Sequence, residues 1–131
     1  VSLTILRRPL PRRSMYFMCD AKWTVEALGN IVDNAIKYTS CGENVQIKAE
    51  QYSFFVKIDI IDDGIGIEKE EIPKIFGRFY RSLSVADQPG VGIGLFLARE
   101  IIQAQKGYIK VTSKRGKGST FSVFLPIAKK E

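Results

Sequence analysis

The sequence predicts a two-layer α/β sandwich: one mixed, mostly antiparallel sheet with helices on one face. Three observations carry that expectation. Apolar and polar residues alternate along VQIKAEQ (residues 45–51) and FFVKIDII (54–61), the period of strands with one buried and one wet face. Apolar residues recur every three or four positions between Trp23 and Ile36, the period of an amphipathic helix. The segments run strand, helix, two strands, loop, helix, two strands, with no internal repeat. One sheet covered by helices is the simplest way to bury such a set.

Each element has a local reason. MYFMC (15–19) reads as a short strand, and Asp20 suits a helix N-cap because its carboxylate can accept from the free N–H groups of the first turn. The helix that follows runs to about Thr39. Trp23, Ala27, Leu28, Ile31, Val32, Ala35 and Ile36 make its apolar face, and SCGEN breaks it. The two alternating strands come next, with YS between them as a hairpin connection. GIGIEKEEIPKIFGRFYRS reads as a loop and a short helix, and LSVADQPGVGIG as a mobile glycine-rich loop. A second helix starts near Gly92 to Gly94 and runs through LFLAREIIQAQ, with Gly107 as its stop. YIKVTS, the turn KRGKG and STFSVFLP form a last strand pair. Ser119, Phe121, Val123 and Leu125 share one face there, and Pro126 closes the strand.

Composition excludes several classes. The 131 residues are 45% hydrophobic, enough for one domain with a core. No apolar run reaches the ~18 residues of a membrane span. The start, VSLTILRRPLPRRSM, is too polar and too rich in Pro and Arg for a signal peptide. Residues 1–14 read as a linker or an appended remnant, and 15–131 as the domain. There is no histidine, which removes the commonest general base and, with only Cys19 and Cys41 as thiols, a zinc site. Those cysteines read as idle thiols of a reducing compartment. Part of the net charge of +6 sits at the ends, in Arg7, Arg8, Arg12, Arg13, Lys129 and Lys130. These read as solvated tails rather than a nucleic-acid contact, because no basic strand is interleaved with aromatics.

Four stretches carry candidate chemistry. Asn30, Asn34 and Lys37 stand at i, i+4 and i+7 of the first helix with Tyr38 beside them, so they share a stripe. Amide oxygens suit Mg²⁺, which accepts only one or two protein ligands, and a lysine one turn on suits a phosphate; the same stripe also suits a plain exposed face. In IDDGIGI (61–67), a carboxylate at a strand end can accept from an exocyclic amine, the glycines leave room for a flat ring, and the isoleucines wall it. Asp-Gly is equally a turn sequence. Gly90, Gly92 and Gly94 precede a helix, where free N–H groups meet anions or a loop hinges. Their spacing fits neither the P-loop nor the dinucleotide fingerprint. In KIFGRFYRS, Phe76, Phe79 and Tyr80 adjoin Arg78 and Arg81: arginines that could reach a phosphate, or a helix with Ile75, Phe76 and Phe79 facing the core.

Taken in order, NIVDNAIKY, DDGIG, IFGRFYR, GVGIGL and GKGSTFSVFLP resemble the N, G1, F, G2 and G3 boxes of the sensor histidine kinase catalytic domain, part of the wider family shared with gyrase, Hsp90 and MutL ATPases. The resemblance covers about residues 15 to 127. It implies a Bergerat-type sandwich that binds Mg-ATP. By position Asn34 resembles the Mg²⁺ ligand, with Asn30 its helper. Lys37 and Tyr38 resemble phosphate and ribose contacts. Asp62 resembles the adenine-reading aspartate, with Gly64, Gly66 and Ile67 shaping its pocket, and Thr120 the hydroxyl that supports it. Arg78 and Arg81 resemble the arginines near the γ-phosphate. Gly90, Gly92, Gly94 and Leu95 resemble the hinge of the ATP lid.

The resemblance also implies catalysis by Asn30, Lys37, Arg78 and Arg81. At Asn30 the ATPase branch has a glutamate that activates water; an amide cannot act as a base, which favours transfer over hydrolysis. Gly77 replaces a glutamate common in the F box, with little effect expected. The acceptor histidine must come from a dimerisation domain outside this chain, and a response regulator would follow. Direct nucleic-acid binding is not expected. The parent protein would be a membrane-anchored bacterial homodimer with this domain in the cytoplasm. The rivals are an anti-sigma-factor-like serine kinase and a nucleotide-binding regulatory domain without catalysis.

Overall fold

The structure is a computed structural model that describes residues 2–7, 15–17, 21–37, 39, 44–77 and 94–129. Its elements are β1 (Ser2–Arg7), β2 (Met15–Phe17), α1 (Ala21–Lys37), β3 (Asn44–Gln51), β4 (Phe55–Asp62), α2 (Gly94–Ala104), β5 (Tyr108–Lys114) and β6 (Gly118–Lys129). The strands form one sheet in the order β1-β3-β4-β6-β2, with β5 also on β6. Only β1–β3 is parallel; the other pairs are antiparallel. The sheet is therefore mixed and mostly antiparallel, as expected. Among the described residues no helix is long and apolar enough to cross a membrane.

Register assigns the two faces. Val45 pairs with Asp62 and Asp62 with Ser119; Ile47 pairs with Ile60, and Ile60 with Phe121. Directly opposed residues project to the same side, so these belong to the face under the helices. There Val45, Ile60, Phe121, Val123 and Leu125 meet Ala27, Ile31 and Ala35 of α1 and Ala98 and Ile102 of α2. Among the described residues Phe121 is the largest fully buried side chain, and removing its ring area from water contributes roughly 2–3 kcal/mol. The other face carries Tyr108 stacked on Phe124 (4.4 Å), Phe124 tilted against Phe55 (5.7 Å) and Phe55 stacked on Tyr52 (4.8 Å).

Several expectations change. Residues 1–14 do not all lie outside the sheet: Ser2–Arg7 pair with β3 as an edge strand. The Pro and Arg that suggested a linker are concentrated after Leu6, while SLTILR itself alternates. Trp23 and Ile36 are 54% and 41% exposed, so the buried stripe of α1 is narrower and uses Thr24 instead. Thr24 is buried with its hydroxyl donating to Gln105 Oε1 (3.1 Å). The short helix near residue 72 is a 3₁₀ turn over Ile72–Lys74. At the end of α2 the left-handed residue is Lys106 (φ 65), and the Gly107 N–H donates back to Ile102 O (2.9 Å).

Pro126 does not close β6, which runs to Lys129. Alternate N–H groups of a strand point to opposite edges. The Ile127 N–H goes to Phe54 O on the β4 side (2.9 Å). The missing N–H of Pro126 therefore faces the gap between the last β5 rung at Phe124 and the first β2 rung at Ile127, where no ladder bond is lost. The Asp20 N-cap lies outside the described residues.

Candidate functional site

The paired carboxylates at the end of β4 have opposite tasks, because successive side chains of a strand point to opposite faces. Asp63 is exposed and ties the end of β4 to the start of β3. Its carboxylate accepts from the Asn44 backbone N–H (2.6 Å) and Nδ2 (3.4 Å). Asp62 faces inward and is 3% exposed. Its Oδ1 accepts the Gly64 N–H (3.0 Å), a turn that fixes the carboxylate's direction. A carboxylate buried this far is costly unless hydrogen-bonded. Its cross-strand partner on β6 is Ser119, also buried.

The loop after Asp62 is fastened to the β5–β6 hairpin. The Gly116 N–H donates to Ile65 O (2.8 Å), and the Ile67 N–H to Ser113 Oγ (2.8 Å). Arg115 meets Glu68 at 3.6 Å, an exposed pair that contributes little. Two glycines make this approach possible. Gly66 has φ +75, and a Cβ on it would overlap the Lys114 carbonyl oxygen and reach Arg115 Cα at 3.0 Å. Gly118 has φ +98, and a Cβ on it would overlap the Asp62 carbonyl oxygen and reach Asp63 Cα at 2.8 Å. Loop and hairpin therefore form one unit, with Gly64, Gly66 and Ile67 buried in it.

The polar stripe of α1 lies against the start of α2. Asn30 and Asn34 are half-buried and Lys37 is exposed. A Cβ on Gly94 would sit 3.8 Å from Asn30 Cβ and 3.9 Å from its Cγ, so the first residue of α2 borders the asparagine stripe. Leu95, next along, packs against the core. Two half-buried amides on one helix face supply hard oxygen donors of the kind that Mg²⁺ takes singly or in pairs. Among the described residues no group of three or more His, Cys, Asp or Glu could hold a metal. Of the expected F-box residues, Ile75 and Phe76 are buried. Phe76 meets Phe121 edge-on (6.3 Å) and carries the Arg99 guanidinium over its ring (5.1 Å).

Thr120 does not share a face with Asp62. It pairs with Ile61 on the helix-free side, while Ser119 pairs with Asp62. The signal was present in the sequence: the alternation of Ser119, Phe121, Val123 and Leu125 already puts Ser119 on the core side and Thr120 off it. Ser113, which pairs with Ser119 and lies 2.7 Å from it, was also missed; it continues the alternation of Ile109 and Val111. Tyr38, Arg78, Arg81, Gly90 and Gly92, with Phe79 and Tyr80, lie outside the described residues. An open cleft of ≈ 440 Å³ lies elsewhere, lined by Trp23, Glu100, Ile101, Ala104 and Gln105. That end of α2 is about 15 Å from Gly94 at the helical rise.

Residues 19–129 match the family described as histidine kinase-, DNA gyrase B- and HSP90-like ATPase. The chain is 37% identical over 123 residues to the sensor histidine kinase WalK of Bacillus subtilis, covering 91% of this chain and 20% of that protein. It spans less than a third of the length of the curated relatives it matches. Its fold is similar to the mycobacterial sensor histidine kinase MprB (TM-score 0.80, 23% identity, 98% of this chain and 83% of that one). It is also similar to the nucleotide-free catalytic domain of the histidine kinase ThkA (TM-score 0.77, 25% identity, 95% and 79%).

Proposed function

The chain belongs to the histidine kinase-, DNA gyrase B- and HSP90-like ATPase family, in its sensor histidine kinase branch, and from that premise we propose that it binds Mg-ATP and presents the γ-phosphate to a histidine on a separate dimerisation domain. The observation that carries the reading is Asp62. It is a buried carboxylate at a strand end, oriented by the Gly64 N–H, beside a loop that glycines hold close to the neighbouring hairpin. Such a carboxylate accepts from the exocyclic amine of adenine and rejects the carbonyl that guanine has there, because two facing acceptors leave both unpaired. Gly64, Gly66 and Ile67 would line the ring's pocket. Ser119, not Thr120, takes the supporting hydroxyl role, since it stands across from Asp62.

We assign the metal to Asn34, with Asn30 one turn earlier, and a phosphate to Lys37. Tyr38, Arg78, Arg81, Gly90 and Gly92 keep the roles their motif positions imply, and Gly94 and Leu95 begin the helix behind the lid. When bound, Mg²⁺ supplies charge neutralisation on the phosphates. Phosphoryl transfer otherwise needs mainly positioning. The phosphorus bond to the β,γ-bridging oxygen breaks, ADP leaves, and a phosphorus–nitrogen bond forms to the acceptor. Asn30 cannot serve as a base toward water, which supports transfer over hydrolysis. The chain contains no histidine, so the acceptor comes from elsewhere, and a response regulator follows it. In this reading the parent is a membrane-anchored homodimer with this domain on the cytoplasmic side.

Calorimetric titration of Mg-ATP and Mg-GTP into the wild-type chain and Asp62→Asn tests the adenine site. ATP binding without GTP binding, lost in the variant, is the expected result. Equal binding of both nucleotides would refute it. Radiolabel transfer to a separately supplied histidine-bearing dimerisation domain, with a serine-bearing acceptor beside it, tests the chemistry; label on serine alone would overturn the histidine reading.

A further inference from the structure

We propose that the cleft between the first turn of α1 and the last turns of α2 is a binding site for a small apolar cation, an ammonium group carried on a ring or a short hydrocarbon. The cleft has a volume of ≈ 440 Å³ and is lined by Trp23, Glu100, Ile101, Ala104 and Gln105. That is a small-molecule pocket by size. Helical spacing explains its walls. Glu100 and Ala104 stand one turn apart on α2, and so do Ile101 and Gln105, the latter just past the helix end, so they form two neighbouring columns. Trp23 supplies the wall from α1 and is 54% exposed. The cleft lies at the far end of α2 from Gly94, so the proposal stands independently of the nucleotide reading.

Two of the lining residues are held in place without a ligand. The Gln105 Nε2 donates to Ile101 O (3.2 Å), and its Oε1 accepts the Thr24 hydroxyl (3.1 Å). The second bond ties α1 to the end of α2 beside the cleft. Ile101 packs against the core. The Gln105 amide is thus engaged within the protein, and the cleft offers a ligand mainly hydrocarbon, an indole and one carboxylate. That set selects charge. Among the described residues Glu100 is the only charged one lining the cleft, and none of them pairs with it. The face of an indole carries the negative part of the ring's quadrupole and is the best aromatic partner for a cation. An anion meets repulsion from both groups. A neutral ligand buries its hydrocarbon and leaves the carboxylate unused. A cation with an apolar body uses Ile101 and Ala104 for its hydrocarbon, and Trp23 and Glu100 for its charge.

Trp23 is the only tryptophan of the chain, so its fluorescence reports on this cleft. Benzyltrimethylammonium, benzyl alcohol and phenylacetate share a ring and differ in charge. Each is titrated at constant ionic strength into the wild type and Glu100→Gln by fluorescence, and into these and Trp23→Leu by NMR of the amides of residues 100–105. Both substitutions fall at exposed positions, where the fold tolerates them. The wild type should bind the cation saturably and about tenfold more tightly than the alcohol, the combined worth of one exposed cation–π contact and one exposed ion pair. Phenylacetate should bind most weakly. Each substitution should shrink the preference for the cation about threefold, and Glu100→Gln should leave affinity for the alcohol within about twofold. Equal affinity for cation and alcohol would mean a plain apolar groove, and a preference that survives both substitutions would place the cation elsewhere. Either result overturns the proposal, as does the absence of saturable binding. A helical peptide of Lys and Leu that binds this cleft more tightly than the small cation would overturn the small-molecule assignment in favour of a partner protein.

Discussion

Replacing Gly118 by alanine perturbs the site at its narrowest point. Gly118 has φ +98, a region where an L side chain costs about 1–2 kcal/mol, and its new Cβ would overlap the Asp62 carbonyl and lie 2.8 Å from Asp63 Cα. Both obstacles are backbone, so relief requires β6 to move away from β4; forcing an extra methyl into a packed place costs roughly 1–3 kcal/mol more. The total is about 2–5 kcal/mol. Gly116, two residues earlier, is the internal control. It has φ +84 but nothing within 4 Å of an added Cβ, so Gly116→Ala should cost only the backbone part, about 1–2 kcal/mol. Urea denaturation measures the stabilities, and calorimetric titration of Mg-ATP measures the site. Gly118→Ala should also lose more nucleotide affinity than Gly116→Ala, because the strand it displaces carries Ser119. Equal losses in the two variants, in stability and in affinity, would refute the argument that close approach governs this hairpin.

Two more outcomes are expected. Asn34→Ala should abolish phosphoryl transfer while leaving the urea midpoint unchanged or slightly higher, since alanine is the better helix former by a few tenths of a kcal/mol; an unchanged transfer rate removes Asn34 from the metal role. Ser119→Ala should weaken ATP binding about ten- to hundredfold, the value of a hydrogen bond to a charged group, whereas Thr120→Val, on the opposite face, should leave affinity within about twofold. Reversed sensitivities would restore Thr120.

The elements were readable where one period dominated. Ala27, Ile31 and Ala35 are fully buried, as their helical spacing requires, and the β3 and β4 alternations set the register of Val45, Asp62, Ile60 and Ile47. Residue type and geometry diverge at other positions. Trp23 fits the apolar spacing of the helix, yet it lies to one side of the Thr24–Ala27–Ile31 stripe and is exposed. Pro126 cannot donate, which predicts a strand end, but its neighbours' partners show that no donor is needed there and β6 runs on to Lys129. Thr120 holds the motif position, but the strand's own alternation puts it on the face away from Asp62. Alternation with Ile109 and Val111 puts Ser113 on the core side, but its bonds to Ile67 and Gly118, distant or non-adjacent in sequence, form only in the folded hairpin.

β6 pairs with β4, β5 and β2, and it follows all of them in chain order among the described elements. That placement has a kinetic consequence. Until β6 docks, β4 presents an open edge with Val56, Ile58 and Ile60 uncovered, a template for pairing with other chains. Non-local strand pairing of this kind is slow, since chain closure precedes the contacts that reward it. During synthesis from the N-terminus, α1 and the β3–β4 hairpin are complete before their central partner exists. The strand that ends this vulnerable interval also brings Ser119 across from Asp62, so the site at the end of β4 is completed only when the sheet has closed.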